Sequence, residues 1–254
     1  MQLYFIRHGQ SVNNALWSAN GSGEGRSDDP GLTEVGRRQA AHAADFLACG
    51  RGKHRMEGSE AGDDGDGSSV KDVYGTNFHG FHLTHLYSSL MLRAVETGSI
   101  IAERIGLPLL GWIDIHECGG VYLDVPESGG RVGRPGGTRS RLEEAFPALV
   151  VPGSASEHGW WNRPFEEEAD RTGRVTRVAE ELLVRHAHTA DRVGIITHGE
   201  FYSRLLGHLI GVRSDVLLWF TLNNTGMTRV DITPEYVNVV YQNRIEFLPE
   251  DLVT

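Results

Sequence analysis

The chain has 254 residues, 39% hydrophobic and 23% charged, with a formal net charge of −10, a make-up suited to one large folded domain. The acidic balance argues against nucleic acid or an anionic membrane as partner. Cys49 and Cys118, the only cysteines, give neither a disulfide framework nor a multi-thiolate metal site. No apolar run nears the roughly 20 residues of a membrane span, and no basic-then-apolar leader opens the sequence, so a cytoplasmic location is expected.

In chain order, "LYFI" (3–6) is a short continuous apolar run of the kind found in a strand buried on both faces. It runs into "RHGQSVNN". "LTEVGRRQAAHAADFLACG" (32–50) follows with helical periodicity, Thr33 as N-cap and Gly50 as stop. Residues 50–79 are rich in Gly, Ser and Asp, which predicts a flexible surface insertion. "FHLTHLYSS" (81–89) predicts a strand, "LMLRAVETGSIIAERIG" (90–106) a helix and "LPLLGWIDIHE" (107–117) another strand. Residues 118–165, rich in glycine and proline, predict a long lid-like excursion. "RVTRVAEELLVRHA" (174–187) carries apolar residues at helical spacing, "RVGIITHGE" (192–200) a strand, "FYSRLLGHLIG" (201–211) a helix, and "GMTRVDI" and "YVNVVYQ" two last strands. The alternation predicts a single α/β domain over 1–254: a three-layer α/β/α sandwich whose mainly parallel sheet has helices on both faces.

Two junctions repeat each other. "YFIRHGQS" and "GIITHGEF" are apolar strands ending in His-Gly. In a parallel sheet ligands bind outside the carboxyl ends of strands, so His8 and His198 are expected at the functional edge. A third strand end, "LYSSLMLRAVET", carries Arg93 into the first turn of a helix, where anions are favoured. Arg7, Arg93, His8 and His198 together suit a dianionic phosphoryl group, because guanidinium forks match phosphate oxygens. Each has a blander reading. A lone histidine is more often a satisfied core residue, and arginine more often a surface one; the shared His-Gly context weighs against that for His8 and His198.

"RHGQSVNN", "LTEVGRRQA", "YSSLMLRAVET", "IHECGG" and "ITHGEF" occur in the order found in the histidine phosphatase (phosphoglycerate mutase-like) superfamily, which the chain resembles over nearly its whole length except 50–79. The resemblance implies a phosphohistidine mechanism. It implies His8 as nucleophile, Arg7, Arg93 and His198 as phosphate ligands, and Glu117 as proton donor and general base. It also places Asn14 and Gly199 at the phosphoryl group. No metal and no cofactor is expected, since arginines and His198 supply the counter-charge. Without that pattern Asp114 or Glu127 would rival Glu117. His79, His82 and His85 invite a metal reading, yet alternation on a strand turns His82 away from the other two.

A phosphatase acting on a small phosphorylated metabolite is the expected activity. The alternatives are a cofactor-dependent phosphoglycerate mutase-type phosphotransferase and a catalytically silent phosphate-binding protein. Mutases of this superfamily follow the acid with a stretch resembling Tyr-Gly-x-Leu-x-Gly-Leu-Asn-Lys and carry a later Arg-Arg pair. Here the chain reads "ECGGVYLDVPESGGRVGRPGG", with Arg131, Arg134, Arg139 and Arg141 as candidates for a second anionic group. Trp112, Tyr122, Trp160 and Trp161 are candidates for a substrate pocket, against the commoner core role of large aromatics. The leaving group is not set by the sequence, nor is oligomeric state, a homodimer being compatible with it.

Overall fold

A computed structural model describes residues 1–49, 77, 80–125, 129–213, 216 and 218–254; the expected insertion at 50–79 lies almost wholly outside them. A seven-stranded sheet forms the centre, in the order β6-β3-β2-β7-β1-β8-β9. Its strands are β1 (Gln2–Arg7), β2 (His85–Ser88), β3 (Leu109–Gly111), β6 (Leu149–Val150), β7 (Arg192–Thr197), β8 (Met227–Ile232) and β9 (Val237–Arg244). β6, β3, β2, β7 and β1 run parallel, while β8 and β9 close one edge antiparallel. β4 (Tyr122–Val125) and β5 (Gly130–Gly133) form a separate hairpin.

β1 shows why the layers form. Leu3, Tyr4, Phe5 and Ile6 are all fully buried, each contributing roughly 1.5–3 kcal/mol on burial. Alternation sends Tyr4 and Ile6 to one face, against α2 (Glu34–Cys49) and α3 (Leu92–Ile105). Leu3 and Phe5 go to the other, against α5 (Glu168–His186) and α6 (Gly199–Leu209). A helix therefore covers each face, as the three-layer expectation requires.

The departures from the sequence reading have local causes. "SVNNALWSAN" forms α1 (Val12–Asn20), a helix with no fully buried residue, so it leaves no apolar stripe to read. Its start is fixed by a capping box: Asn14 N–H donates to Ser11 Oγ at 3.2 Å, and Ser11 N–H to Asn14 Oδ1 at 3.1 Å. The strand expected over 107–117 stops at Gly111 and becomes a single 3₁₀ turn, Ile113–Ile115. α5 begins at Glu168 rather than 174, because its first turns face solvent and carry charge. Within 118–165, beside the hairpin, lie α4 (Arg139–Ala145) and β6, which extends the central sheet. Thr33 caps α2 as expected, accepting from Gly36 N–H at 3.0 Å.

One contact holds the β1–α2 region with no side chain at all. A Cβ on Gly9 would sit 2.5 Å from Gly36 O, and one on Gly36 would sit 2.1 Å from Gln10 O. Backbone lies on backbone here, which only glycine permits.

Candidate active site

Sheet register brings the two His-Gly junctions together. β1 and β7 pair in parallel with Ile6 opposite Ile196 and Arg7 opposite Thr197, so the next residues, His8 and His198, leave the sheet side by side. Their rings stand 5.1 Å apart, and His8 N–H donates to Thr197 O at 3.1 Å. β2 pairs with β7 on its other side, which delivers Ser89, whose hydroxyl meets His198 Nε2 at 2.9 Å.

The partners of His8 define its tautomer. Nδ1 lies 2.7 Å from Gly9 O, an acceptor, so Nδ1 carries the proton. Nε2 receives the Nε–H of Arg93 at 3.1 Å, so it presents a lone pair. Burial, then the guanidiniums of Arg93 and Arg7, hold His8 well below the ordinary imidazole range. His198 is held low by burial, Arg93 and His8. Both rings are therefore neutral at pH 7.

Two buried polar atoms at this edge, Arg7 Nε and His198 Nδ1, have no hydrogen-bond partner. Such groups are costly when unmet and mark places where a ligand supplies the missing contact. Arg7 is anchored from Nη1 to Leu222 O at 2.6 Å. Asn14 accepts through Oδ1 from Ser11 and from Asn224 Nδ2 at 3.3 Å. Asn224 also donates to His8 O at 2.9 Å. Gly199 opens α6 directly after His198, its backbone at the helix N-terminus.

Glu117 reaches the same edge from the turn after the 3₁₀ segment. Its Oε1 accepts from Cys118 N–H at 2.9 Å and Phe201 N–H at 3.0 Å, and its Oε2 from Glu200 N–H at 3.3 Å. The first turn of α6 thus orients this carboxylate. Arg7, Glu117, Gly199, Trp219 and Asn223 line one cleft of about 260 Å³. The seven residues singled out from sequence occupy this end of the sheet, at the carboxyl ends of β1, β2 and β7 or on the segments just beyond.

Other expectations fare differently. Trp112, Trp160 and Trp161 are core residues, Trp112 lying edge-on to Tyr87. Tyr122 stands near Arg93 with the Arg26 guanidinium 4.3 Å above its ring. Arg139 is spent on the carbonyls of Pro152 and Ala155 and on Glu143. Arg131 and Arg134 pair with Asp124 and Asp28 at 3.4 and 3.5 Å. Asp114 faces Arg177 at 3.8 Å; Glu127 and His79 lie outside the described residues. Asp29 was not anticipated. It accepts from Leu92 N–H at 2.9 Å at the start of α3, and burial lifts its carboxyl to about 6.

Among the described residues two groups of side chains could offer ligand atoms to a metal, each within a 4.8 Å span: Glu117, Cys118 and Glu200, and His85, His186 and Asp191. In the first, burial pushes the Cys118 thiol up, away from the thiolate a metal needs, and Glu200 is engaged by Arg171 and Arg204. In the second, His186 already spends both ring nitrogens, on Asp191 at 2.8 Å and on the Tyr87 hydroxyl at 3.2 Å. Among the described residues no helix is long and apolar enough to cross a membrane.

Against known proteins, a family model described as the histidine phosphatase superfamily (branch 1) matches residues 3–54 and 71–245. A probable phosphoglycerate mutase from Yersinia pestis (strain Pestoides F) is 25% identical over 231 residues, covering 91% of this chain and 85% of its own length. Among solved structures, a putative alpha-ribazole-5'-P phosphatase from Escherichia coli aligns with TM-score 0.57 at 16% identity, covering 96% of this chain and 97% of its own. A phosphoserine phosphatase from Entamoeba histolytica, in complex with 3-phosphoglyceric acid, aligns with TM-score 0.57 at 18% identity, covering 98% and 99%.

Proposed function

The chain belongs to the histidine phosphatase superfamily, and from that membership we propose that it hydrolyses a small phosphoester through a phosphohistidine formed on His8. The observation that carries the reading is the hydrogen-bond pattern of His8: Nδ1–H fixed on Gly9 O, Nε2 turned to Arg93. A neutral imidazole locked in that tautomer is a nucleophile at Nε2.

In the proposed reaction the Nε2 lone pair attacks phosphorus in line while the bond to the leaving oxygen breaks. Arg7, Arg93 and His198 stabilise charge on the equatorial oxygens, the unmet Arg7 Nε and His198 Nδ1 being suited to that load. Asn14 and the Gly199 amide add neutral contacts. Glu117 gives its proton to the departing alkoxide, then takes one from the water that attacks phospho-His8, releasing phosphate and restoring the imidazole. The substrate is a small molecule, and neither nucleic acid nor a membrane is a partner. The protein works in the cytoplasm, and a homodimer is compatible with the chemistry.

The name of the Yersinia relative supports a second reading, in which the phosphoryl group returns to a substrate hydroxyl instead of to water. A phosphate-release screen over small phosphoesters without divalent metal, with His8→Ala as control, tests the proposal. Release that vanishes with His8→Ala, together with an acid-labile phosphoenzyme, is the expected result. Interconversion of phosphoglycerates without phosphate release would favour the second reading, and tight phosphate binding with no turnover of any ester would leave a binding protein. Release that requires added metal overturns the scheme.

A further inference from the structure

Glu117 is held at its carboxylate by three amides, and the backbone carrying it is held from behind by a buried ion pair. Arg174, on α5, and Glu166, just before α5, are 2% and 8% exposed. They meet as a two-bond fork, Arg174 Nε to Glu166 Oε1 at 2.6 Å and Nη2 to Oε2 at 2.7 Å. The rest of the pair is spent on the Glu117 loop. Arg174 Nη1 donates to Asp114 O at 2.8 Å and His116 O at 3.0 Å. Gly119 N–H donates to Glu166 Oε2 at 3.2 Å, and Glu166 N–H returns to Gly119 O at 3.0 Å. The guanidinium also lies 4.6 Å over the ring of Phe201, whose N–H binds Glu117 Oε1.

We propose that Arg174 and Glu166 are positioning residues that set where the Glu117 carboxyl stands relative to the leaving oxygen. The reasoning is spatial. Carbonyls on the N-terminal side of Glu117 and the amide on its C-terminal side are tied to one rigid, planar pair. Gly119 and Gly120, both at positive φ (91° and 75°), give that turn no side chains of its own to brace it. Burying two charges costs more than an apolar filler of the same volume, so such a pair is a poor device for stability alone. It is a good device for fixing a loop whose carbonyls and amide need partners away from water. The proposal rests on the reading of Glu117 as acid and base.

The test separates the two claims by leaving group. An alkyl phosphate releases an alkoxide that needs the proton, whereas dinitrophenyl phosphate releases a phenolate that does not. Glu117→Gln is expected to slow the alkyl ester sharply and leave the burst of dinitrophenolate nearly intact. If it slows both equally, the acid assignment fails and the positioning role falls with it. Given the expected pattern, Arg174→Ala should show the same signature, losing on the order of 10²-fold on the alkyl ester while keeping the burst. Added guanidinium should restore the loss, because Arg174 and Glu166 line a cleft of about 340 Å³ that admits it. Glu166→Gln keeps the side chain's shape and guards against a variant that does not fold; it should show the same leaving-group dependence at smaller amplitude. Equal losses on both esters in the two variants, or full activity on the alkyl ester, overturns the proposal.

Discussion

Strands β2 and β7 carry a histidine cluster at each end, and the two clusters are built on opposite plans. At the carboxyl end, His198 leaves Nδ1 unmet and the neighbouring Arg7 leaves Nε unmet, both buried. At the amino end, His186 spends Nδ1 on Asp191 and Nε2 on the Tyr87 hydroxyl, with His85 edge-on to it at 4.8 Å. In sequence the shared His-Gly context marks His8 and His198, while His186 lies unmarked near the end of a helical pattern. In the structure they differ in hydrogen-bond closure: the satisfied ring of His186 ties α5 to the sheet, whereas the unmet Nδ1 of His198 stands beside the unmet Nε of Arg7 at the strand ends where a ligand is expected.

The largest expected effect comes from the open end. His198→Gln should lower turnover by about 10²–10³-fold, the usual loss for one donor to a developing oxyanion, with little change in the denaturation midpoint. Steady-state kinetics beside urea unfolding decides this, and a variant that unfolds early yet turns over normally would erase the contrast. At the closed end the pattern inverts. His186→Phe strands the Tyr87 hydroxyl and should cost roughly 1–3 kcal/mol of stability with turnover within about twofold of the parent, since its partners Tyr87 and Asp191 touch none of the reacting groups at the other end of the strands. The smallest effect is one histidine's share of the pH dependence. His8, His116 and His198 are all held low, burial being the first cause. A depressed folded value means the unfolded chain takes up the proton first. Stability is therefore full above about pH 6.5 and falls as pH drops below it, by up to about 1.4 kcal/mol per pH unit for each such histidine. Unfolding midpoints between pH 7.5 and 5.5 should show that slope, and His198→Gln should make it shallower; an unchanged slope would remove His198 from the group.

The site was legible where the chain repeats a local pattern. Two apolar runs ending in His-Gly, and an arginine in the first turn of a helix after a third run, point to strand ends without any tertiary knowledge. Register then does the rest, because β1 and β7 pair Arg7 with Thr197 and so place His8 beside His198. The parts that escaped have no local signature. Arg174 and Glu166 are eight residues apart, but what they hold lies at 114–119, and charges around the start of a helix usually read as a solvated face. Asn224 meets His8 from the far end of the chain. α1 hides nothing, so it carries no periodicity. Trp160 and Trp161 show the opposite failure: as aromatics in a glycine-rich excursion they suggest a pocket, yet they pack in the core.

The glycine contact between Gly9 and Gly36 has a consequence for how this architecture tolerates change. The nucleophile's loop is moored to the first turns of α2, and Cys49, where that helix ends, lies roughly 20 Å farther along a rod rising 1.5 Å per residue. A single added methyl at Gly9 or Gly36 therefore bears directly on the loop of His8, whereas a change near Cys49 can reach it only through the whole length of the rod. The helix is thus pinned at both ends by main chain: at its start on the nucleophile's loop, and at its finish on the approach to β2, where Phe81 N–H donates to Leu47 O at 3.0 Å and a Cβ on Gly80 would sit 2.7 Å from Ala48 O.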